Sequence, residues 1–271
     1  MNYYFLCEKF LEGYKNTKDI EKSINNYFNN NYDLLRDIYF QPKKIETNKI
    51  EDTIKNENYK NILLKMISNL KDINLNKLFT NIVHELGEIL DYKNIDKKVY
   101  VIIGLNTTTI YSTKYQNEDV AVILLEATLG TVDNIKMLLA HEYTHWIREK
   151  EIKHDIFETC IGERFITEGI ACNFSEQIVP NRQESYYTIV PNTTVQWVES
   201  NIEILDEVVK TELDKNDMLY DFFYMFAITK NKMPVRTGYV YGYLKVKEYI
   251  KNNNVHIKDI VKMDWKNILE N

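Results

Sequence analysis

Apolar residues in the first third of the chain recur at the spacing of amphipathic helices. They lie three or four positions apart in successive segments, which places each set on one face of a helix. We therefore predict that residues 1–95 form an N-terminal helical region. The apolar positions behind this prediction are Leu6, Phe10, Ile20, Ile24, Tyr27 and Phe28, then Ile62, Leu63, Met66, Ile67 and Leu70, and then Leu78, Ile82, Val83, Leu86, Ile89 and Leu90.

The pattern changes near residue 96, where two runs rich in β-branched residues follow each other. Residues 99–105 read VYVIIGL and residues 120–130 read VAVILLEATLG, each of strand length. A polar segment between them is typical of a loop, and from Asp133 the spacing is again helical. The sequence thus predicts a mostly helical α+β fold with a small sheet, in which residues 96–271 form a second domain.

Composition and charge argue against several classes of function. The formal net charge is −6 and lysines are mixed with acids, so we expect no non-specific binding to nucleic acid. No apolar run reaches the length that crosses a bilayer, and the N-terminus does not have the pattern of a signal peptide. The three cysteines form no C-x-x-C pair, which is typical of reduced thiols. We therefore expect a cytoplasmic protein that does not bind membranes.

The segment LLAHEYTHWIRE, residues 138–149, carries the spacing H-E-x-x-H. His141 and His145 are one helical turn apart, so both imidazoles project from the same side and can bind one Zn²⁺ per chain. Glu142 follows the first histidine and can act as a general base toward a water that the metal polarises. The alternative is a solvated helix with two exposed histidines. The apolar residues around the motif favour a buried helix, on which these polar groups need partners.

A catalytic zinc site needs a third protein ligand and an open fourth position. One known extension of the motif places a glycine and a histidine further along the same helix, but Arg148 and Glu151 occupy those positions here. Without the glycine the chain does not easily turn back toward the metal, which argues against Glu151. His154 is a second alternative, although no turn-forming residue supports it and it suits a surface position.

Glu168 on the following predicted helix is the preferred third ligand. It lies between Ile166 and Gly169, and a carboxylate among small and apolar residues is costly to bury unless it is paired or bound to a metal. Gly169 also predicts close packing of this helix on the helix that carries the histidines. Glu163 and Glu176 lie on the same helix in more polar surroundings, where we expect surface or supporting roles.

Three segments, in this order, resemble one known family. They are LLAHEYTHWIRE at 138–149, ITEGIACNFSEQ at 166–177 and PVRTGYVYGY at 234–243. From about residue 96 to 255 the chain resembles the DUF2268 group of predicted zinc-dependent proteases, a YjaZ-like branch of the gluzincins. The resemblance implies a gluzincin-like metallopeptidase with a small sheet beside the zinc helix. It also implies a peptide or protein substrate, but not which one.

The family pattern draws attention to Tyr239 and Tyr243. They are four positions apart on one face of a predicted helix, for which Thr237 is the expected N-cap. Zinc peptidases of this kind often place a phenol where it can donate a hydrogen bond to the oxyanion, and for that role we choose Tyr239 first and Tyr243 second. Core packing is the alternative for both. Arg236 is expected to bind a substrate carbonyl or a carboxylate of the site, or else to be a surface cation.

The strand predicted within residues 120–130 directly precedes the helix that carries the histidines. In proteins of this kind such a strand borders the cleft and pairs with an extended substrate, so we expect the same here. Glu126, near the end of the run, can bind a substrate amine or face solvent.

Three functions remain open on the sequence. The first is a zinc peptidase in which Glu142 takes a proton from water and passes it to the leaving amine. The second is a regulatory protein that uses the same fold to bind or cleave one dedicated protein partner. The third is a peptide-binding protein with a structural zinc, which Glu142 argues against because a structural site needs no base.

Overall fold

The computed structural model describes residues 1–152, 159–215, 223 and 233–270. Helices account for most of these residues, and one mixed sheet of four strands accompanies them. The mostly helical α+β fold that the sequence predicts is therefore confirmed. None of the helices in the described ranges is long and apolar enough to cross a membrane.

Two compact units make up the structure. The first comprises Met1–Ile82 and Asn94–Leu138, and the second comprises Val83–Lys93 and Leu139–Asn271. Each unit thus combines two stretches of sequence. The sequence predicts a different division, at residue 95, between an N-terminal helical region and a zinc metallopeptidase domain. That division assigns the function to one part of the chain, and it stays a prediction.

The sheet belongs to the first unit and joins distant parts of the sequence. β1 (Asn2–Phe5) pairs with β2 (Lys98–Ile102), β3 (Ile110–Tyr115) pairs with β4 (Glu118–Leu124), and the strand order is β1-β2-β4-β3. β1, β2 and β4 are parallel, whereas β3 is antiparallel to β4. β1 could not be predicted from the sequence, because its four residues are too few to show an alternation.

β4 is an inner strand, so the expectation that it pairs with an extended substrate is wrong. Every residue from Val120 to Leu124 pairs with β2, and the residues from Glu118 to Ile123 pair with β3. The near-continuous apolar run of this strand suits such a position, where both faces are covered. Its backbone groups are used on both sides and cannot also pair with an added peptide.

Glu126 follows β4 in a 3₁₀ segment, Leu125–Thr128, and it is fully buried. Both roles considered for Glu126, a solvent-facing position and contact with a substrate amine, are therefore wrong. Its carboxylate accepts hydrogen bonds from the backbone N–H groups of Gly104 at 3.1 Å and Asn106 at 3.0 Å. Burial raises the pKa of Glu126 to about 7, although these hydrogen bonds act in the opposite direction. Glu126 thus holds the loop that follows β2.

The helices follow the apolar periodicity of the sequence. Those of the first unit and its boundary are α1 (Cys7–Thr17), α2 (Ile20–Asn30), α3 (Tyr32–Leu35), α4 (Thr47–Lys55), α5 (Glu57–Leu70) and α6 (Leu75–Ile89). Those that follow the sheet are α7 (Val132–Glu151), α8 (Ile161–Ile178), α9 (Glu184–Thr188), α10 (Asn192–Ser200), α11 (Ile202–Lys210), α12 (Thr237–Asn253), α13 (Ile257–Ile260) and α14 (Lys266–Leu269).

α7 and α12 begin in different ways. α7 begins directly after Thr131, whose hydroxyl accepts a hydrogen bond from the backbone N–H of Asn134 and so caps the helix. Thr237, in contrast, is the first residue of α12 and donates its hydroxyl to the carbonyl of Pro234. The predicted N-cap at Thr237 is therefore wrong. The preceding Arg236 has a φ of 61°, in the left-handed region, so it cannot be part of the right-handed helix.

α8 is buried along nearly its whole length and packs closely on α12. A Cβ atom on Gly169 would lie 2.2 Å from the carbonyl oxygen of Gly242, so the close approach that we expected against α7 occurs against α12. The side-chain amide of Asn173 donates to the carbonyls of Gly169 at 2.8 Å and Tyr243 at 2.9 Å. These contacts fix the position of α8, and with it the position of Glu168.

Candidate metal centre

Three side chains from α7 and α8 converge on one point within the second unit. Nε2 of His141 lies 3.2 Å from Oε2 of Glu168, and Nε2 of His145 lies 3.4 Å from the same oxygen. All three atoms lie within 4.8 Å of one another. The two imidazole rings stand nearly perpendicular, with centroids 4.7 Å apart, as expected for residues one turn apart on α7. The structure thus brings together the three residues that the sequence predicts as ligands.

The distances from Oε2 of Glu168 to the two histidine nitrogens fit a tetrahedral zinc ion. Ligand atoms about 2.1 Å from a tetrahedral centre lie roughly 3.4 Å from one another. In addition, Oε2 of Glu168 is buried and has no hydrogen-bond partner among the described residues. An orphaned carboxylate oxygen is costly in the interior, and a cation between it and the imidazoles would remove that cost. His141, His145 and Glu168 therefore suit a Zn²⁺ ion in both donor type and spacing.

Glu168 is held in its charged form. Burial raises its pKa, but the positive charge of Arg164 and the contacts with the two histidines outweigh burial and hold the pKa well below its usual range. Nη2 of Arg164 lies 2.7 Å from Oε1, the carboxylate oxygen that does not face the histidines. Arg164 was not identified from the sequence. Its spacing of four residues from Glu168, which places both side chains on one face of the helix, is the signal that could have revealed it.

His141 also contacts Cys172, which lies one turn after Glu168 on α8. Burial lowers the pKa of His141, but the Cys172 thiol and the Glu168 carboxylate outweigh burial and raise it to about 10. The thiol is itself fully buried, and burial raises its pKa. Because histidine binds a metal only in its neutral form, metal binding here must release protons and weaken at low pH.

Glu142 is half-buried beside His141 and is not one of the three converging ligands. Among the described residues it has no hydrogen-bond or ion-pair partner. A carboxylate without a competing partner can accept a proton, which is the property that the predicted general base needs.

Tyr239 lies near enough to Glu168 for the carboxylate charge to act on its hydroxyl. Burial raises the pKa of its hydroxyl, and the charge of Glu168 raises it further, while Arg164 and Arg236 act in the opposite direction. Contact between the Arg164 guanidinium and the hydroxyl also lowers this pKa. The guanidinium of Arg236 lies over the Tyr239 ring, 4.3 Å from its centroid, and Nη1 of Arg236 donates to the carbonyl of Ile189 at 3.0 Å. Arg236 is thus anchored beside Tyr239.

Tyr243 is placed differently, although it is on the same helix. Its side chain is fully buried, and its hydroxyl donates to Oε2 of Glu176 at 2.8 Å. Nζ of Lys247 donates to the same hydroxyl at 2.7 Å. Both the donor and the acceptor capacity of this phenol are therefore in use, as the core-packing alternative expects. Glu176, which the sequence analysis gave a supporting role, contributes to this group.

The alternative ligands have other partners. Glu151 accepts a hydrogen bond from the hydroxyl of Tyr92 at 2.6 Å, which leaves it engaged at the end of α7. Glu163 is buried and pairs with Arg148. His154 lies outside the described residues. Among the residues that the structure describes, Glu168 is the carboxylate that meets both histidines.

Arg148 braces the two helices that carry the ligands. It is fully buried, three residues after His145, and it donates to Glu163 and, at 2.9 Å, to the hydroxyl of Thr167. It also donates to the carbonyls of Val261 and Met263, each at 3.0 Å. This hydrogen-bonded group spans α7, α8 and the segment after α13, so it helps to set the register between the histidines and Glu168.

Two histidines on an H-E-x-x-H helix and a glutamate from the next helix form a group that could hold a metal ion, an arrangement typical of zinc-dependent proteases. Residues 76–270 match the model of the DUF2268 family, which is described as a predicted Zn-dependent protease. The match covers more than half of the chain, and the protein belongs to this family. The comparisons found no match among curated proteins and none among solved structures.

Proposed function

We propose that the protein is a zinc-dependent peptidase that hydrolyses peptide bonds in a peptide or protein substrate, with one Zn²⁺ per chain. The observation that carries this proposal is the convergence of the two Nε2 atoms with an orphaned carboxylate oxygen of Glu168. Glu142 stands beside that group without a partner among the described residues. Three ligands leave a fourth position for water or substrate, which a purely structural site does not need.

The chain's own residues account for the proton transfers of hydrolysis. When bound, Zn²⁺ supplies a Lewis acid that polarises the substrate carbonyl and lowers the pKa of a water molecule. Glu142 takes a proton from the attacking water as the new carbon–oxygen bond forms. It then gives that proton to the amine nitrogen as the carbon–nitrogen bond breaks, so the carboxylate is regenerated.

Tyr239 is the proposed donor to the oxyanion. Its hydroxyl interacts with Arg164, a donor-only side chain that cannot take the phenolic proton, so this proton remains available for a substrate. Tyr243 donates its proton to Glu176 and so has none to offer. This difference favours Tyr239 over Tyr243 and assigns Tyr243 to packing. Arg236, held against the Tyr239 ring, is proposed to contact the substrate beside it.

A metal analysis combined with a peptide-library digest tests the proposed function. Wild type should contain one zinc per chain and cleave library peptides. Glu142→Gln should retain the zinc but lose hydrolysis by about 10²–10⁴-fold, because the amide keeps the shape of the side chain and cannot accept the proton. Glu203→Gln, at an exposed position on α11, is the matched control and should cleave like wild type.

Two results would contradict this proposal. Purified wild type without zinc would remove the metal site, and full hydrolysis by Glu142→Gln would remove Glu142 as the base. Wild type that binds zinc but cleaves no library peptide would instead favour a regulatory protein that acts on one dedicated partner.

A further inference from the structure

We propose that Arg164 is a positioning residue that engages the second oxygen of Glu168 and the oxygen of Tyr239, so that each side chain presents one defined atom to the site. The inference rests on the proposed function, because that function gives Glu168 and Tyr239 their roles. It goes beyond that function because it assigns a role to a second residue of α8. Arg164 acts on the site through Glu168 and Tyr239.

The contact with Glu168 leaves one oxygen for the metal. Nη2 of Arg164 lies 2.7 Å from Oε1, whereas Oε2 faces the two imidazoles and has no hydrogen-bond partner among the described residues. A carboxylate that is free to turn can bind a metal through both oxygens and so fill a coordination position. The ion pair with Oε1 opposes that turn and keeps the fourth position open.

The contact with Tyr239 determines what its hydroxyl can do. A guanidinium is always protonated at neutral pH and has no acceptor atom, so Tyr239 must be the acceptor in this pair. The phenolic proton is then directed away from Arg164. Arg164 thereby prepares Tyr239 as a donor, in contrast to Tyr243, whose proton is bound by a carboxylate.

Arg164 is itself well fixed. Its side chain is 19% exposed, and its guanidinium lies 5.7 Å from the centroid of the Phe223 ring. Helix stability alone does not account for its pairing with Glu168. In an i, i+4 pair the order acid before base is the more favourable one for a helix, and here the base comes first.

Three variants test this positioning role. Arg164→Met removes the contacts with both partners, and Arg164→Lys retains a charge near Glu168 but lacks the planar fork that serves two partners. Arg36→Gln is the matched control, because Arg36 pairs with Asp33 and Asp37 at the surface of the first unit. Each variant is purified with zinc, and thermal unfolding shows whether it folds like wild type.

Zinc affinity is the first measurement, made by competition with a chromophoric chelator. Arg164→Met should bind zinc about 10–100-fold more weakly, as is typical when a residue that orients a ligand is lost. Arg164→Lys should recover most of this loss, and Arg36→Gln should match wild type. In the Co²⁺-substituted protein, the visible absorption of Arg164→Met should weaken, because a Glu168 bound through both oxygens raises the coordination number.

A double-mutant cycle with Tyr239→Phe is the second measurement. If Arg164 acts on catalysis through Tyr239, the change Arg164→Lys should lower kcat by about 10-fold when Tyr239 is present. The same change should have little effect on kcat when it is combined with Tyr239→Phe. A merely structural role for Arg164 would instead lower kcat equally in both backgrounds. KM should change little in either, because the contact with Tyr239 matters mainly in the transition state.

The outcomes separate this inference from the proposed function. Wild-type zinc affinity and an unchanged cobalt spectrum in Arg164→Met would overturn the positioning of Glu168, whatever the activity. Additive effects in the cycle would overturn the positioning of Tyr239. Wild type that binds zinc but hydrolyses nothing would contradict the proposed function. The zinc affinity and the cobalt spectrum of Arg164→Met would still show whether Arg164 positions Glu168. Wild type that binds no zinc would overturn both.

Discussion

Gly169 on α8 faces Gly242 on α12 at a distance that excludes any side chain. A Cβ atom on Gly169 would lie 2.2 Å from the carbonyl oxygen of Gly242, and a Cβ on Gly242 would lie 2.1 Å from that of Phe165. Real Cβ atoms do not approach backbone oxygens so closely, so α8 and α12 would have to move apart. Gly169 also follows Glu168 directly, which links this packing to the metal centre.

Gly169→Ala should therefore reduce both the free energy of unfolding and the zinc affinity. Overpacking of this kind costs about 1–3 kcal/mol, measured by chemical denaturation of the metal-free protein. Gly13→Ala is the matched control, because a Cβ at Gly13 on α1 meets no atom within 4 Å. That variant should be more stable than wild type by about 0.5–1 kcal/mol. Equal stability of the two alanine variants would contradict the close contact.

The sequence was most informative where function depends on neighbours along one helix. His141, Glu142 and His145 are related by helical spacing alone, and their arrangement could be predicted without knowing what packs against them. Glu168 required one further step, because a carboxylate among small and apolar residues calls for a partner. The distances between Glu168 and the two histidines agree with both predictions.

Contacts between distant segments could not be predicted in the same way. β1 pairs with a strand more than 90 residues away, and its own four residues carry too weak a pattern to reveal it. The burial of Glu126 depends on backbone groups of a loop that precedes it by some 20 residues. The choice between Tyr239 and Tyr243 likewise depends on which partners α8 offers to each hydroxyl.

Replacing one histidine should remove the metal. His145→Ala takes away one of three converging ligands and should abolish stoichiometric zinc, measured by elemental analysis after dialysis. His84→Ala is the matched control, because the His84 side chain is 74% exposed and pairs only weakly with Glu88, at 3.6 Å. It should retain one zinc per chain. Unchanged zinc in His145→Ala would show that the metal binds elsewhere.

The buried Glu126 should make the stability of the protein depend on pH. Its pKa rises from an ordinary value of 4.5 to about 7 in the folded state, so folding is coupled to proton binding between these values. The folded state is favoured when Glu126 is protonated, and this contribution is lost as the pH rises from about 4.5 to 7. The full effect is about 3 kcal/mol, since one pKa unit corresponds to about 1.4 kcal/mol.

Comparison with Glu126→Gln isolates that contribution, because the amide does not titrate. The difference in the free energy of unfolding, wild type minus variant, should fall as the pH rises from 4.5 to 7 and then level off. Urea denaturation at a series of pH values gives this slope independently of any constant cost of the substitution. A difference that is independent of pH would mean that the hydrogen bonds from Gly104 and Asn106 offset the burial of the carboxylate.

Tyr239 and Tyr243 offer a direct comparison of a reacting and a packing phenol, one helical turn apart. Tyr239→Phe removes a hydroxyl whose proton is available to substrate, so kcat should fall by roughly 10²–10³ with little change in KM. Zinc content and thermal stability should stay near those of wild type, because the ring remains against the Arg236 guanidinium. Steady-state kinetics on a peptide identified by the library digest measures this loss.

Tyr243→Phe should show the opposite pattern. Its hydroxyl is buried between Glu176 and Lys247, so its loss leaves both charged groups with fewer partners and should cost about 1–2 kcal/mol of stability. Its kcat should stay within a few fold of wild type, because the hydroxyl has no proton to give an oxyanion. A catalytic defect in Tyr243→Phe together with normal catalysis by Tyr239→Phe would reverse the assignment of these two residues. Normal catalysis by both would leave Arg236, held against the Tyr239 ring, as the next group to replace.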